Sequence, residues 1–375
     1  MTRIAIFLFI LFANISTSAQ EAGPVKFRKQ MVASENFESV AVFDVNGDSV
    51  HDIVSGSFWY KGPDYKIKFL IADQKRYGEY YDDFSTIPYD VNEDGRQDFI
   101  TGGWFENNIR WKENPGKDTL WADHIIANTG NVETTRAWDV DGDAINEIVP
   151  NTPNHALVVY KKEKGSGTFT GHKIFNTKSG HGLGFGDLNN DGRGDFIIST
   201  GWLEAPPDPF HTAWIFHQDF DLGSASIPII VTDVNKDGLA DFIVGQGHGY
   251  GLDWYEQSMD KKIRKWIKHS IDPFNSQYHT MAWADIDNDG QEELITGKRF
   301  RAHNEKDPGS FDPVGLYYYK WNGQSFSKQI ISYGPFGSGK GIGIYFAITD
   351  LDGNKWKDII VAGKDGLVIF YNEGR

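Results

Sequence analysis

One nine-residue pattern, Asp-x-Asx-x-Asx followed four residues later by a further acid, recurs seven times in this chain and limits its fold more than any other feature. Its polar positions are Asp44, Asn46, Asp48 and Asp52, then Asp90, Asn92, Asp94 and Asp98, then Asp139, Asp141, Asp143 and Glu147. Asp187, Asn189, Asp191 and Asp195 follow, then Asp233, Asn235, Asp237 and Asp241. The last two sets are Asp285, Asp287, Asp289 and Glu293, and Asp350, Asp352, Asn354 and Asp358. Successive starts lie 46, 49, 48, 46, 52 and 65 residues apart. Oxygens at positions 1, 3 and 5 converge inside a tight turn, and a carboxylate at position 9 closes the shell of a hard cation. A single such loop reads as an Asx-turn. Seven in register read as calcium sites.

An apolar, β-branched run follows each loop, as in Asp52-Ile-Val and Asp358-Ile-Ile-Val, so the ninth residue starts a buried strand. A third strand is marked by aromatic residues at Trp59, Trp111, Tyr160, Trp202, Trp254, Tyr319 and Phe370. A fourth is marked by Ile67–Ile71, His124–Ile126, His172–Phe175, Trp214–Phe216, Trp266–His269 and Lys328–Ile331. Four strands in each of seven units predict an all-β, seven-bladed β-propeller. The last unit stops at its third strand, and the matching fourth, Val25 to Val32, stands at the opposite end of the chain. It is expected to complete the last blade and close the ring.

Arg3, the apolar run Ile4 to Ile15 and the small residues Thr17-Ser18-Ala19 predict an export signal over residues 1–19. Residues 20–375 are then one propeller domain, periplasmic or secreted, with no membrane insertion. With no cysteine, neither a disulfide nor a lipid-anchored thiol is available, and external calcium is the natural staple. The formal charge of −15 becomes +8 once the 23 carboxylates of the loops are set aside, so the acidity reflects metal ligation and not a basic partner. No nucleic-acid partner is expected.

In a propeller the loops entering the innermost strands gather on the face opposite the calcium loops. Six residues before each repeat stand Glu38, Phe84, Glu133, His181, Ile227, His279 and Ile344. Glu38, Glu133, His181 and His279 in one ring suit a further divalent ion of the zinc or manganese kind, or an acid/base pair. Neighbouring loops add His155, His248, Tyr250, Trp104, Glu106 and Lys340, and the blade 6 insertion adds Lys298, Arg299, Arg301 and His303. His51, His124, His172, His211, His217 and His269 fall in strands or outer turns and read as structural.

The loop motif makes the whole mature length resemble the secreted FG-GAP or VCBS-type repeat propellers, a group spanning adhesive heads, glycan binders and carbohydrate lyases. The stretches His181-Gly-Leu-Gly-Phe-Gly-Asp187, Gly201-Trp-Leu-Glu-Ala-Pro206, Gly247-His-Gly-Tyr-Gly251 and Gly297-Lys-Arg-Phe-Arg-Ala-His303 resemble the propeller domain of aldos-2-ulose dehydratase and the oligosaccharide dehydratases of marine polysaccharide-degrading bacteria. That resemblance implies β-elimination on an acidic oligosaccharide, a lyase or dehydratase reaction. Arg299, Arg301 or a bound metal would neutralise the sugar carboxylate. His181, His248, His279, His303 and Tyr250 would share the roles of base and acid. Trp104, Glu106, His155, Lys298 and Lys340 would hold the substrate. The alternative is a non-catalytic glycan-binding or adhesive propeller, which would use the same loops but favour exposed aromatics.

Overall fold

A computed structural model describes residues 23–261 and 263–375. The export signal expected over residues 1–19 lies outside the described residues. Seven four-stranded antiparallel sheets account for nearly all the regular structure, joined by a short two-stranded hairpin, Arg76–Tyr77 with Tyr80–Tyr81. The first blade runs Ala41–Phe43, Asp52–Ser55, Phe58–Tyr60 and Lys68–Leu70, and the next five repeat that order outward from the channel. In the seventh, Ala347–Thr349, Asp358–Val361 and Leu367–Asn372 are joined at the outer edge by Phe27–Ala33. Phe27 faces Asn372 and Met31 faces Val368, so the strand read at Val25–Val32 pairs where the last blade lacked one. An open edge there would expose a row of backbone donors and acceptors.

The nine-residue motif turns the chain from the innermost strand to the second. The carboxylate of its first residue takes amides three to five residues on: Gly47 N at 2.8 Å, Asp48 N at 3.2 Å and Ser49 N at 2.7 Å all donate to Asp44. This tight wrap requires left-handed backbone at positions 4 and 6, and each loop places glycine at one of the two. Gly47, Gly142 and Gly353 take position 4, while Gly95, Gly192, Gly238 and Gly290 take position 6. A non-glycine residue holds the other, at a cost of about 1–2 kcal/mol. The apolar second residue, such as Val45, Val91 or Ile286, drops into the core.

The second strand of every blade is buried along its whole length, because blades cover it on both faces. Blades meet through aliphatic layers such as Ile53, Ile295, Ile360 and Ile369. The histidines read as structural behave so in blades 2, 4 and 5. His124, His217 and His269 stack on Trp111, Trp202 and Trp254 and bond Glu113, Glu204 and Glu256 at 2.7–2.8 Å. Among the described residues, no helix is long and apolar enough to cross a membrane.

Candidate functional site

Opposite the motif loops, a cavity of about 600 Å³ opens at the mouth of the channel. Below it Arg136 lies across the channel, donating to Thr280 Oγ1 at 2.9 Å and to the Ile227 carbonyl, with its guanidinium 4.4 Å from the Tyr345 ring. Three side chains and one backbone carbonyl, from four blades, thus close the floor. One wall is aromatic: Tyr80, Phe84, Trp104 and Phe105. The hairpin before blade 2 supplies Tyr80, and Tyr77 braces Phe105 from behind, stacked at 4.6 Å.

Glu133, His181 and His248 also line the cavity, with His279 buried behind them, and one ligand atom from each of the four lies within 4.8 Å of the others. His181 Nδ1 donates to the Ala225 carbonyl at 2.8 Å, and His248 Nδ1 donates to Asp307 Oδ2 at 3.0 Å. Both partners are acceptors, so in each neutral imidazole the proton resides on Nδ1 and Nε2 presents a lone pair. Those two Nε2 atoms stand 2.9 Å apart. Glu133 Oε2 is 3.5 Å from His181 Nε2 and 3.6 Å from His279 Nε2. His279 is completely buried, and neither ring nitrogen makes a hydrogen bond. Burial, reinforced by neighbouring His181, pushes His248 down to about 4. Burial likewise holds His279 well below the usual imidazole range. Burial opposes charge on Glu133, but His181 and His279 outweigh it and keep its carboxyl well below the ordinary value. Four groups able to donate an electron pair, three imidazoles and a carboxylate, thus converge.

This ring differs from the predicted one at a single member. Glu38 is not in it: Arg299 Nε and Nη2 grip its two oxygens at 2.8 and 3.1 Å, both residues are buried, and His248 takes the vacated place. Other predicted cations are likewise committed. Arg301 pairs with Glu79 and, at 3.2 Å, with Glu305. Lys340 is buried against Asp365, and Lys298 donates to Ser276 Oγ, Gln277 Oε1 and the Gly309 carbonyl, anchoring the blade 6 insertion. Burial lowers the Lys298 pKa to about 8. Arg299 reaches the cavity wall, whereas Arg301, Lys340 and Lys298 do not. Glu106 serves Lys75 and Tyr77, and exposed Tyr250 donates to Asp312 at 2.6 Å on the rim. His155 is exposed and lends only its neighbours Pro153 and Asn154 to the cavity. Trp104 and His303 line the cavity as expected.

Sequence reasoning did not find Tyr80, Phe105, Lys306 or Asp307. The last two lie in the insertion that stretches the final repeat spacing to 65 residues, which was the available signal. The hairpin carrying Tyr80 leaves no mark on the spacing.

On the motif face, ligand atoms of Asp139, Asp141 and Glu147, of Asp285, Asp287 and Asp289, and of Asp350, Asp352 and Asp358 each lie within 4.8 Å of one another. Calcium, which loops of this kind imply, would find unbonded buried oxygens in two of the seven: Asp141 Oδ1 and Glu147 Oε1 in blade 3, and Asp285 Oδ1, Asp287 Oδ1 and Glu293 Oε1 in blade 6.

Residues 139–198 and 233–296 match the model of the FG-GAP-like repeat. Each stretch starts at one motif loop and runs through the next, ending in the second strand of the following blade. The fold is similar to that of BBS1N in a crystal structure with ARL6DN, soaked with lead. The TM-score is 0.56 at 10% identity, over 94% of this chain and 97% of that one. The mercury-soaked form of the same complex gives a TM-score of 0.52 at 11% identity, over 93% and 96%. At such identity the likeness speaks for the propeller fold. No curated protein is similar enough to this chain to count as a match.

Proposed function

We propose that the channel mouth holds one zinc- or manganese-like ion and carries out lyase or dehydratase chemistry at the end of an acidic oligosaccharide. The observation that carries this reading is His279, fully buried with both ring nitrogens unbonded beside Glu133 and the facing Nε2 atoms of His181 and His248. A proton shared between His181 and His248 would relieve their 2.9 Å contact but leave His279 without a partner. A metal ion satisfies all four. Three imidazoles and one carboxylate suit zinc or manganese better than calcium.

Once bound, the ion supplies positive charge for a sugar carboxylate or hydroxyl. Asp307 acts behind it, fixing the tautomer and the direction of His248. Since Arg299 is neutralised by Glu38, attraction for an anionic sugar rests on the ion and on Lys306, which no carboxylate pairs with among the described residues. The aromatic wall presents faces on which a sugar ring stacks. His303 stacks on His248 at 4.2 Å and bonds Asp307 through Nδ1, leaving Nε2 for proton transfer. In the elimination, a base removes the proton on the carbon beside the carboxylate. That electron pair forms the new double bond as the C–O bond to the next carbon breaks, and the leaving oxygen takes a proton.

The aromatic wall equally favours the second reading, a glycan-binding propeller without catalysis. Purified protein should carry about one zinc- or manganese-like ion, and His279→Ala and Glu133→Gln should each lose it while keeping the melting profile of a folded propeller. Incubation with oligosaccharides from acidic algal or plant polysaccharides should raise the ultraviolet absorbance of a conjugated unsaturated acid. Products should be lighter by one water for a dehydratase, or two fragments for a chain-cleaving lyase. His303→Ala should lower the rate roughly a hundredfold, whereas Tyr250→Phe, on the rim, should stay within about threefold. Saturable sugar binding without a new chromophore or mass change would decide for the binder. Absence of the ion, with activity unchanged in His279→Ala, would overturn the metal reading.

A further inference from the structure

The seven motif loops are internal copies of one sequence, so their differences isolate what single positions contribute. In the five loops that end on aspartate, both oxygens of that residue are engaged by backbone amides. Asp98 accepts from Val91 N at 3.0 Å and Asn114 N at 2.7 Å, and Asp52, Asp195, Asp241 and Asp358 repeat the pair. One amide belongs to the second residue of the loop and the other to the end of the third strand. The buried carboxylate therefore pins the turn to its own blade.

Glutamate, one methylene longer, does not reproduce this. Glu147 takes the Val140 amide at 2.8 Å and Glu293 the Ile286 amide at 3.0 Å, each through Oε2. Oε1 of each is left without a hydrogen bond, and both residues are fully buried. Both loops also carry aspartate at the third position, where Asp141 Oδ1 and Asp287 Oδ1 are unbonded too. Bare anionic oxygens at this depth call for a cation.

Across from these two loops the third strand supplies a lysine. Lys161 pairs with Asp141 and Asp143, Lys320 pairs with Asp287 and Asp289, and the two ammonium groups stand 3.4 and 3.7 Å from the free oxygens of Glu147 and Glu293. At the same place in blades 2, 4 and 5 stand Glu113, Glu204 and Glu256, each held by its histidine. The lysines sit beside the unbonded oxygens and are partly exposed, and in blade 6 Arg375 adds a second cation 2.6 Å from Asp287 Oδ2.

We propose that calcium occupies two of the seven loops, those of blades 3 and 6, with Glu147 and Glu293 as the deciding ligands and Lys161 and Lys320 covering the sites until the ion displaces them. A hard cation needs six to eight oxygens, and only these loops offer a ninth-position oxygen not already bonded to the backbone. Blade 7 separates the two variables. It has Asp352 at the third position but Asp358, with both oxygens bonded, at the ninth.

The test is calcium itself, titrated calorimetrically into chelator-treated full-length protein and counted by elemental analysis after gel filtration. Two ions per chain are expected. Glu147→Gln and Glu293→Gln should each remove one, and Asp98→Asn and Asp358→Asn should remove none. Lys161→Met and Lys320→Met leave every ligand in place and should tighten binding roughly tenfold by removing the competing charge. They keep the test decisive if a glutamine variant fails to fold. Five to seven ions per chain would overturn the proposal, as would three with one lost in Asp352→Asn, which would make the third position decisive. No binding even in the methionine variants would show that the lysines are permanent occupants.

Discussion

The two faces of this propeller handle charge in opposite ways. On the motif face, most partners come from within the same blade, the exceptions lying at the seams where Arg375 meets Asp287 and Lys162 meets Glu93. Asp44 is wrapped by amides three to five residues on, Asp98 by amides from its own loop and strand, and the Lys61–Asp48 pair joins two strands of one blade. On the channel face the partners are remote in sequence: Glu38 meets Arg299, Glu79 meets Arg301, and His181 meets His248. Local pairing makes a face repeat, and remote pairing makes it unique. A ligand site is accordingly expected where the blades stop being alike.

The largest effect should come from removing what holds both faces in place. Deleting Val25–Val32 strips the outer strand from blade 7 and opens the ring, so the protein should melt many degrees lower or fail to fold. A truncation that melts with the parent would break the comparison at its root, since remote pairs on the channel face need a closed ring.

The comparison sharpens when one ion pair from each face is cut. Glu38→Gln leaves the Arg299 guanidinium buried without a counter-charge and should cost about 3–5 kcal/mol by denaturant unfolding. Lys61→Met breaks a half-exposed pair 3.3 Å long and should stay within about 0.5 kcal/mol. Equal costs would mean that remoteness in sequence carries no energetic weight.

An effect seen only as the pH changes concerns Asp83, buried beside the channel-face loops and bonded to Thr101 at 2.9 Å. Burial raises its pKa from an ordinary carboxyl value to about 7. Its folded pKa lies above its unfolded one, so the folded state binds the extra proton, and stability from this group falls as pH rises from about 4 to 7. Asp83→Asn should flatten that part of the pH–stability curve by a few kcal/mol at most, about 1.4 kcal/mol per pH unit. An unchanged curve would show that Asp83 ionises freely.

The propeller was legible because its evidence is periodic. Motif, apolar strand and aromatic strand recur at spacings a reader can count, and the strands they predict appear within a few residues of the expected places. Even the edge strand at Phe27–Ala33 was readable, as the one element missing from the seventh repeat. The channel-mouth ring was half legible. Counting back from the motif found Glu133, His181 and His279 because those positions are equivalent by repeat. The same count named Glu38, whose partner no spacing reveals.

By itself the sequence determined what happens within a blade: the turn, the left-handed positions, the buried second strand and the difference between aspartate and glutamate at the ninth place. Those contacts join residues near one another in the chain, where bond geometry leaves few choices. Tertiary structure alone decided which charges neutralise one another across the channel. It placed Glu38 with Arg299, left His279 unbonded, and turned Tyr80 and Phe105 into a wall. These contacts span up to 261 residues, and their geometry exists only once seven blades have closed into a ring.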